Sequence, residues 1–169
     1  MIAKGHILKA IERLDKRYNQ ALKSVTPQDS IYFSKLAVLE YCGWLEESFD
    51  LIVRRSLKGK LKTQSYRQIL EDGIIGNNYG FQYKTNLRPM LIRAMGLGKM
   101  ESLEFFLNQS GMLPVLISEL ESVKNDRDSA AHTWINGATR TYPAPSITKA
   151  RLQTIYPITK KLYSMVSTI

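Results

Sequence analysis

Residues 29–57 read DSIYFSKLAVLEYCGWLEESFDLIVRRSL, and this stretch decides the fold. Val38, Cys42, Leu45, Phe49 and Ile52 recur at near-heptad spacing, the period at which side chains return to one face of an α-helix. Phe33, Ala37, Trp44 and Leu51 add a second apolar stripe beside the first. A helix apolar on two sides belongs at the centre of a helical protein, with its second stripe taken either by more core or by another subunit. Asp29 or Ser30 is placed to cap its start, and Gly59 stops it just beyond Leu57.

Outward from this helix the chain stays helical in pattern. Residues 2–25 set Ile7, Ile11, Leu14, Tyr18, Leu22 and Val25 at steps of three and four, and Thr26-Pro27-Gln28-Asp29 ends that helix. Further on, a short helix is expected near Gln64–Asp72, then the turn-rich 73–80, then another short helix over Leu87–Met95 ending at Gly96. Helical spacing resumes with Leu103, Phe106 and Leu107 and pauses at Gly111. It restarts with Pro114 in a first turn, and Val115, Leu116, Leu120 and Val123 form the buried side. Lys124-Asn125-Asp126 reads as a helix end, with Asn125 or Asp126 capping a new short helix through Trp134. Residues 141–146 read as a loop, and Ile155, Ile158, Leu162, Met165 and Ile169 mark a last helix kinked at Pro157. The fold class is all-α: a helical bundle with a long central hairpin and short additional helices, one domain over residues 1–169.

Composition narrows the function classes. A chain of 169 residues can bury a core without staples, and its lone Cys42 forms no intrachain bridge. Lys4, His6 and Lys9 interrupt the apolar residues of the N-terminal segment, so no secretory leader is read there, and a reducing cytoplasm is expected. No apolar run reaches the roughly 20 residues of a membrane span. One cysteine and two distant histidines, His6 and His132, make no zinc-type ligand cluster, and no glycine-rich phosphate loop is present, so neither metal nor cofactor is expected.

Charge is concentrated. Of the net +9, residues 51–100 carry +8, from ten Lys and Arg against Glu71 and Asp72. The densest part is Arg54, Arg55, Lys58, Lys60, Lys62 and Arg67, with no acid between Leu51 and Leu70. A polyanion is the expected partner, because phosphate backbones reward such clusters through counterion release. Tyr66, Tyr79, Phe81 and Tyr83 lie near enough in sequence to stack on unpaired bases, which favours a nucleic acid as that polyanion. The competing reading is a solvated basic surface with its tyrosines turned inward.

The chemistry-bearing pair is Arg127 and His132. A neutral imidazole can take the proton of a ribose 2′-hydroxyl, while a guanidinium, always charged, can neutralise a phosphate oxyanion with two donors. On one continuous helix, residues five apart diverge by about 140° and would not face one substrate, whereas a helix break at Lys124-Asn125-Asp126 would let both side chains converge.

The segment Leu39-Glu40-Tyr41-Cys42-Gly43-Trp44-Leu45-Glu46-Glu47, followed by Leu120-Glu121-Ser122-Val123-Lys124-Asn125-Asp126-Arg127-Asp128-Ser129-Ala130-Ala131-His132, resembles the HEPN superfamily, whose signature is Arg-x(4–6)-His. The likeness spans about residues 30–165. It implies a HEPN-like helical domain, and for many family members a metal-independent endoribonuclease that acts as a homodimer with its two motifs meeting in an interface cleft. Arg127 and His132 are the catalytic residues that the resemblance implies. Asp128 stands where family members commonly carry asparagine, and its carboxylate is placed to pair with Arg127 and repel phosphate. That leaves open a second expectation, a non-catalytic HEPN-like module binding RNA, nucleotide or a protein partner. Glu40 is a supporting candidate that would orient a motif side chain, although a solvent-facing glutamate is the favoured reading. Toxin or defence roles are common in similar proteins, and with them a neutralising protein or a nucleotidyltransferase as partner.

Overall fold

The computed structural model describes residues 1–131 and 142–169. Among them stand seven α-helices and no strand: α1 (Gly5–Ala21), α2 (Asp29–Ser56), α3 (Gln64–Gln68), α4 (Arg88–Met95), α5 (Leu97–Gln109), α6 (Met112–Ala131) and α7 (Pro145–Met165). Two π-helical segments, Ile69–Ile75 and Tyr83–Leu87, complete the set. The all-α class read from periodicity is the class the chain adopts.

The long helix forms as its stripe requires. Val38, Cys42, Leu45, Phe49 and Ile52 are all buried, and full burial of such aliphatic and aromatic side chains contributes about 1.5–3 kcal/mol each. The turn before α2 is tied by the Thr26 hydroxyl, which donates to the Asp29 carboxylate at 2.9 Å, and by the Ser30 hydroxyl, which donates to the Pro27 carbonyl at 2.6 Å. Past its end, Gly59 takes φ +78°, a conformation open to glycine at little cost. The second stripe is also largely engaged by the chain itself. Ala37 is fully buried and Phe33, Trp44 and Leu51 are half-buried, with the Trp44 indole N–H donating to the Ala3 carbonyl at 2.9 Å.

The chain divides into two compact units. The first comprises Met1–Ile2, Leu45–Leu120 and Pro157–Ile169. Here α4 packs against α5 and both π-helical segments, burying Leu87, Met90, Leu91, Met100, Leu103 and Leu107. Arg88 donates to the Glu104 carboxylate at 2.6 and 3.2 Å, and the Tyr83 hydroxyl donates to it at 2.8 Å. Burial and this carboxylate hold the Tyr83 phenol well above its ordinary range, so it stays a neutral donor.

The second unit comprises Ala3–Trp44 and Glu121–Tyr156, and so holds α1, the first sixteen residues of α2, the last turns of α6 and the first turns of α7. Lys149 of α7 pairs with Glu12 of α1 at 2.8 Å, and the Lys4 ammonium sits 4.6 Å from the Tyr156 ring centroid. Arg151 of α7 donates to Ser122 at 2.9 Å and to Asp126, both on α6.

Several local expectations give way. The largest correction concerns α6, which runs unbroken from Met112 to Ala131, through the helix end expected at residues 124–126. Its buried stripe continues past that point in Val123 and Ala130, and the Asp126 carboxylate that would have capped a new helix is bound to Arg151 instead. Val115 is exposed rather than buried. The first helix stops at Ala21, leaving Leu22 and Val25 exposed. Helical turns extend through Ile75, into the region read as turn-rich, and α7 begins at Pro145, inside the expected loop, and runs on through Pro157. In α7 Ile155, Ile158 and Leu162 are buried as expected, whereas Met165 and Ile169 are half-buried and Leu152 and Val166 take core positions.

Candidate functional site

The last two turns of α6 build the site around Arg127. Leu120, Val123 and Ala130 are buried, and position 127 falls on the same helical stripe by its steps of four and three. Its side chain nonetheless remains 43% exposed. Lys124, one turn earlier, is 42% exposed and pairs with the Asp128 carboxylate at 3.2 Å, while Arg127 donates to the same carboxylate at 3.4 Å. Burial pushes the Asp128 carboxyl up, but the Lys124 and Arg127 hydrogen bonds outweigh it and hold the group below its ordinary carboxylate value. The pairing anticipated from the Asp128 substitution is thus present in the geometry.

Beside this face, Arg151 bridges Ser122 and Asp126, which anchors α7 to α6 over the turn that precedes Arg127. The Tyr142 hydroxyl donates to the Ser129 carbonyl at 3.0 Å. Lys124, Arg127 and Arg151 against Asp126 and Asp128 leave a net charge of +1 on these turns. Lys124 was within reach of sequence reading, since it lies one turn before Arg127. Arg151 was not, because only the folding of α7 onto α6 brings it there.

His132 and Trp134 lie outside the described residues, so the convergence expected of Arg127 and His132 falls outside them as well. With α6 continuous, the proposed break is no longer available to produce that convergence. Glu40 is exposed on α2, in keeping with the solvent-facing reading.

Comparison with known proteins identifies no relative. No family model, curated protein or solved structure matches this chain.

The basic segment is less uniformly available than its sequence suggests. Glu71, one residue beyond the acid-free stretch, takes Arg54 in a two-pronged pair at 2.7–3.0 Å. That hydrogen bonding raises the Arg54 pKa and lowers the Glu71 pKa, so the pair stays ionised. Arg55 lies 5.4 Å from the Tyr163 ring centroid. Lys60 donates to the Ser56 carbonyl at 2.8 Å and Lys62 to the Gly59 carbonyl at 3.0 Å, around the C-terminal turn of α2. Arg67 reaches the Leu61 and Lys62 carbonyls at 3.5 Å, and Lys58 is exposed. Lys58, Lys60 and Lys62 on the connector and Arg67 in α3 thereby lie within one stretch of ten residues, and among the described residues none of the four forms an ion pair. Of the aromatic residues, Tyr66 and Tyr79 are exposed, whereas Phe81 and Tyr83 are core and cannot stack on a base.

A cleft of about 310 Å³ opens between α4 and α5, lined by Arg88, Ile92, Met100, Glu101 and Glu104 among others. Two carboxylates against one guanidinium give it the wrong sign for phosphate. Among the described residues no group of three or more His, Cys, Asp or Glu side chains is arranged to hold a metal ion, and no helix is long and apolar enough to cross a membrane.

Proposed function

We propose that this chain is a metal-independent endoribonuclease of the HEPN type, working as a homodimer in the cytoplasm. His132 takes the proton of a ribose 2′-hydroxyl and Arg127 neutralises the phosphate under attack. The supporting observation is the placement of Arg127. A guanidinium on a stripe otherwise filled by Leu120, Val123 and Ala130 does nothing for the core, yet it stays half-exposed with Lys124 one turn away, and His132 directly follows the end of α6 in sequence.

The chemistry balances on these groups. The 2′-oxygen forms a bond to phosphorus, the phosphorus–5′-oxygen bond breaks, the imidazole holds the proton removed and the 5′-oxygen takes one from solvent. The products are a 2′,3′-cyclic phosphate and a 5′-hydroxyl. Lys58, Lys60, Lys62 and Arg67 contribute backbone neutralisation, with Tyr66 and Tyr79 as stacking surfaces. DNA and 2′-O-methyl RNA lack the nucleophile, so incubating the protein with matched RNA, DNA and 2′-O-methyl strands tests the reading: RNA alone is cut.

One observation favours a second reading. Asp128 already occupies Arg127 and Lys124, which suits a non-catalytic module that binds RNA, nucleotide or a protein partner. Binding of all three strands without cleavage is the outcome that would install it.

A further inference from the structure

The chain leaves the core after Ile75 and re-enters it at Phe81, and the five residues between include the most exposed aromatic residue among those described, Tyr79 at 87%. An exposed tyrosine alone says little. What sets this one apart is the bracing beneath it. Asn86 commits its whole side-chain amide to the loop: Nδ2 donates to Asn78 Oδ1 at 3.0 Å and to the Tyr79 carbonyl at 3.2 Å, while Oδ1 accepts from the Gln82 N–H at 2.9 Å and from the Thr85 hydroxyl at 3.1 Å. That fills every donor and acceptor position the amide has. Asn78 Nδ2 in turn donates to the Gly80 carbonyl at 3.3 Å. Gly80 takes φ +122°, and a Cβ there would stand 3.2 Å from Asn86 Oδ1, so glycine lets the loop close on the amide. Buried side chains anchor both flanks, Ile75 before the loop and Phe81, Tyr83 and Leu87 after it.

We propose that this loop is a preformed platform for one unpaired nucleobase of a single-stranded RNA, with Tyr79 as the stacking ring, Lys84 neutralising a neighbouring phosphate and Asn86 as the positioning residue. A ring held on a braced backbone takes up a flat partner with little ordering cost, which is how preorganisation strengthens binding. Every base has a π-face, so the platform tolerates any sequence, but the base must be out of its pair, and a duplex does not fit. Charge favours nucleic acid over a protein as the occupant. No acid occurs from Gly73 to Met100, a stretch that carries Lys84, Arg88, Arg93 and Lys99. Among the described residues only Arg88 of these four forms an ion pair, and Lys84, Arg93 and Lys99 are exposed. Lys84 lies in the π-helical turn that carries Asn86, so the brace fixes the backbone beneath both the ring and the charge. The inference rests on the RNA-binding part of the reading above and deepens it, by naming an unpaired segment as the substrate and by separating the braced Tyr79 from Tyr66, which stands on the five-residue α3.

Fluorescence anisotropy with an end-labelled 2′-O-methyl RNA of about 10 nucleotides tests the platform independently of cleavage, because the strand lacks the attacking hydroxyl. The comparison strands are an abasic sugar–phosphate chain of the same length and the same RNA annealed to its complement. Tyr79→Ala should bind the single strand roughly fivefold or more weakly than wild type, while its affinity for the abasic chain and the duplex stays unchanged and Tyr79→Phe keeps wild-type affinity. Asn86→Ala, with its helical circular dichroism intact, should lose most of the same affinity yet add little in a Tyr79→Ala background, since both act through one ring. AMP alone should not compete below about 1 mM, because a single stacked base without a strand gains little. A wild-type protein that binds no strand would sink the RNA reading and the platform together. Equal single-strand affinity of Tyr79→Ala and wild type, or an equal loss on the abasic chain, would overturn the platform alone and leave the ring as a contact for a protein. Fully additive losses from Asn86→Ala would remove its positioning role, and micromolar competition by AMP would replace the strand with a free nucleotide.

Discussion

Replacing Asp128 by asparagine removes the carboxylate that competes with phosphate for Arg127. It lies 3.4 Å from Arg127 and 3.2 Å from Lys124, and all three side chains are 40–43% exposed. At that exposure an ion pair contributes about 0.2–1 kcal/mol, because solvent screens it. A phosphate that takes over Arg127 and Lys124 must displace both pairs. Relieving them should therefore strengthen binding by roughly two- to tenfold at low salt, discounting the upper figures for screening. The asparagine protein should lose less than about 1 kcal/mol of stability. The sign with pH follows from the lowered Asp128 pKa: its contribution to stability is present above the ordinary value of 3.8 and lost as pH falls through the folded value. Neutral-pH assays thus see the full effect. Fluorescence anisotropy with a labelled single-stranded RNA at about 50 mM and 200 mM salt reads the affinity, and a cleavage assay reads the rate. Binding by Asp128→Asn that is equal to or weaker than wild type at low salt would refute the competition argument.

Changing Lys58, Lys60, Lys62 and Arg67 together to glutamine should weaken RNA binding and flatten its log–log salt slope by roughly 3, at about 0.7 per charge for single strands, while the melting temperature moves little. An unchanged slope would place the polyanion surface elsewhere. Asp50→Asn tests the acidic side of α2. Burial is the main cause that raises the Asp50 carboxyl, and Glu71, Glu46 and Glu47 add to it against the opposing Arg54. A raised folded value means that the contribution to stability is present below 3.8 and lost as pH rises through the folded value. The asparagine protein should therefore melt higher than wild type at pH 7 and no higher at about pH 3, and equal melting at pH 7 would contradict that cause.

Much of the helical framework was legible because long apolar stripes leave little choice of period. The α2 stripe of Val38, Cys42, Leu45, Phe49 and Ile52 is buried throughout, and the helix ends one residue from its expected limit. What could not be read locally depended on partners distant in sequence. Asn125 and Asp126 look like a stop because their side chains compete with helix hydrogen bonding. Arg151, 25 residues on, takes the Asp126 carboxylate and leaves α6 free to continue. The acid-free basic stretch looked uniformly exposed until Glu71 closed on Arg54, and Phe81 and Tyr83 lay near it in sequence but entered the core. Apolar residues on nearly every side of α2 hid which face was left open, so the exposed line of Tyr32, Leu36 and Leu39 emerged only from burial. At the site, the Arg127–Asp128 contact was foreseeable between chain neighbours, whereas the Arg151 bridge required the tertiary fold.

The central claim is that Arg127 and His132 act together at one phosphate, and the most direct test is cleavage of a mixed RNA pool in EDTA by the wild-type, Arg127→Ala and His132→Ala proteins. The wild-type protein should cut despite the chelator and leave 2′,3′-cyclic phosphate ends. Each alanine variant should lose roughly a hundredfold or more in rate while keeping its helical circular dichroism. Cleavage abolished by EDTA, or full activity in the His132→Ala protein, would contradict the account.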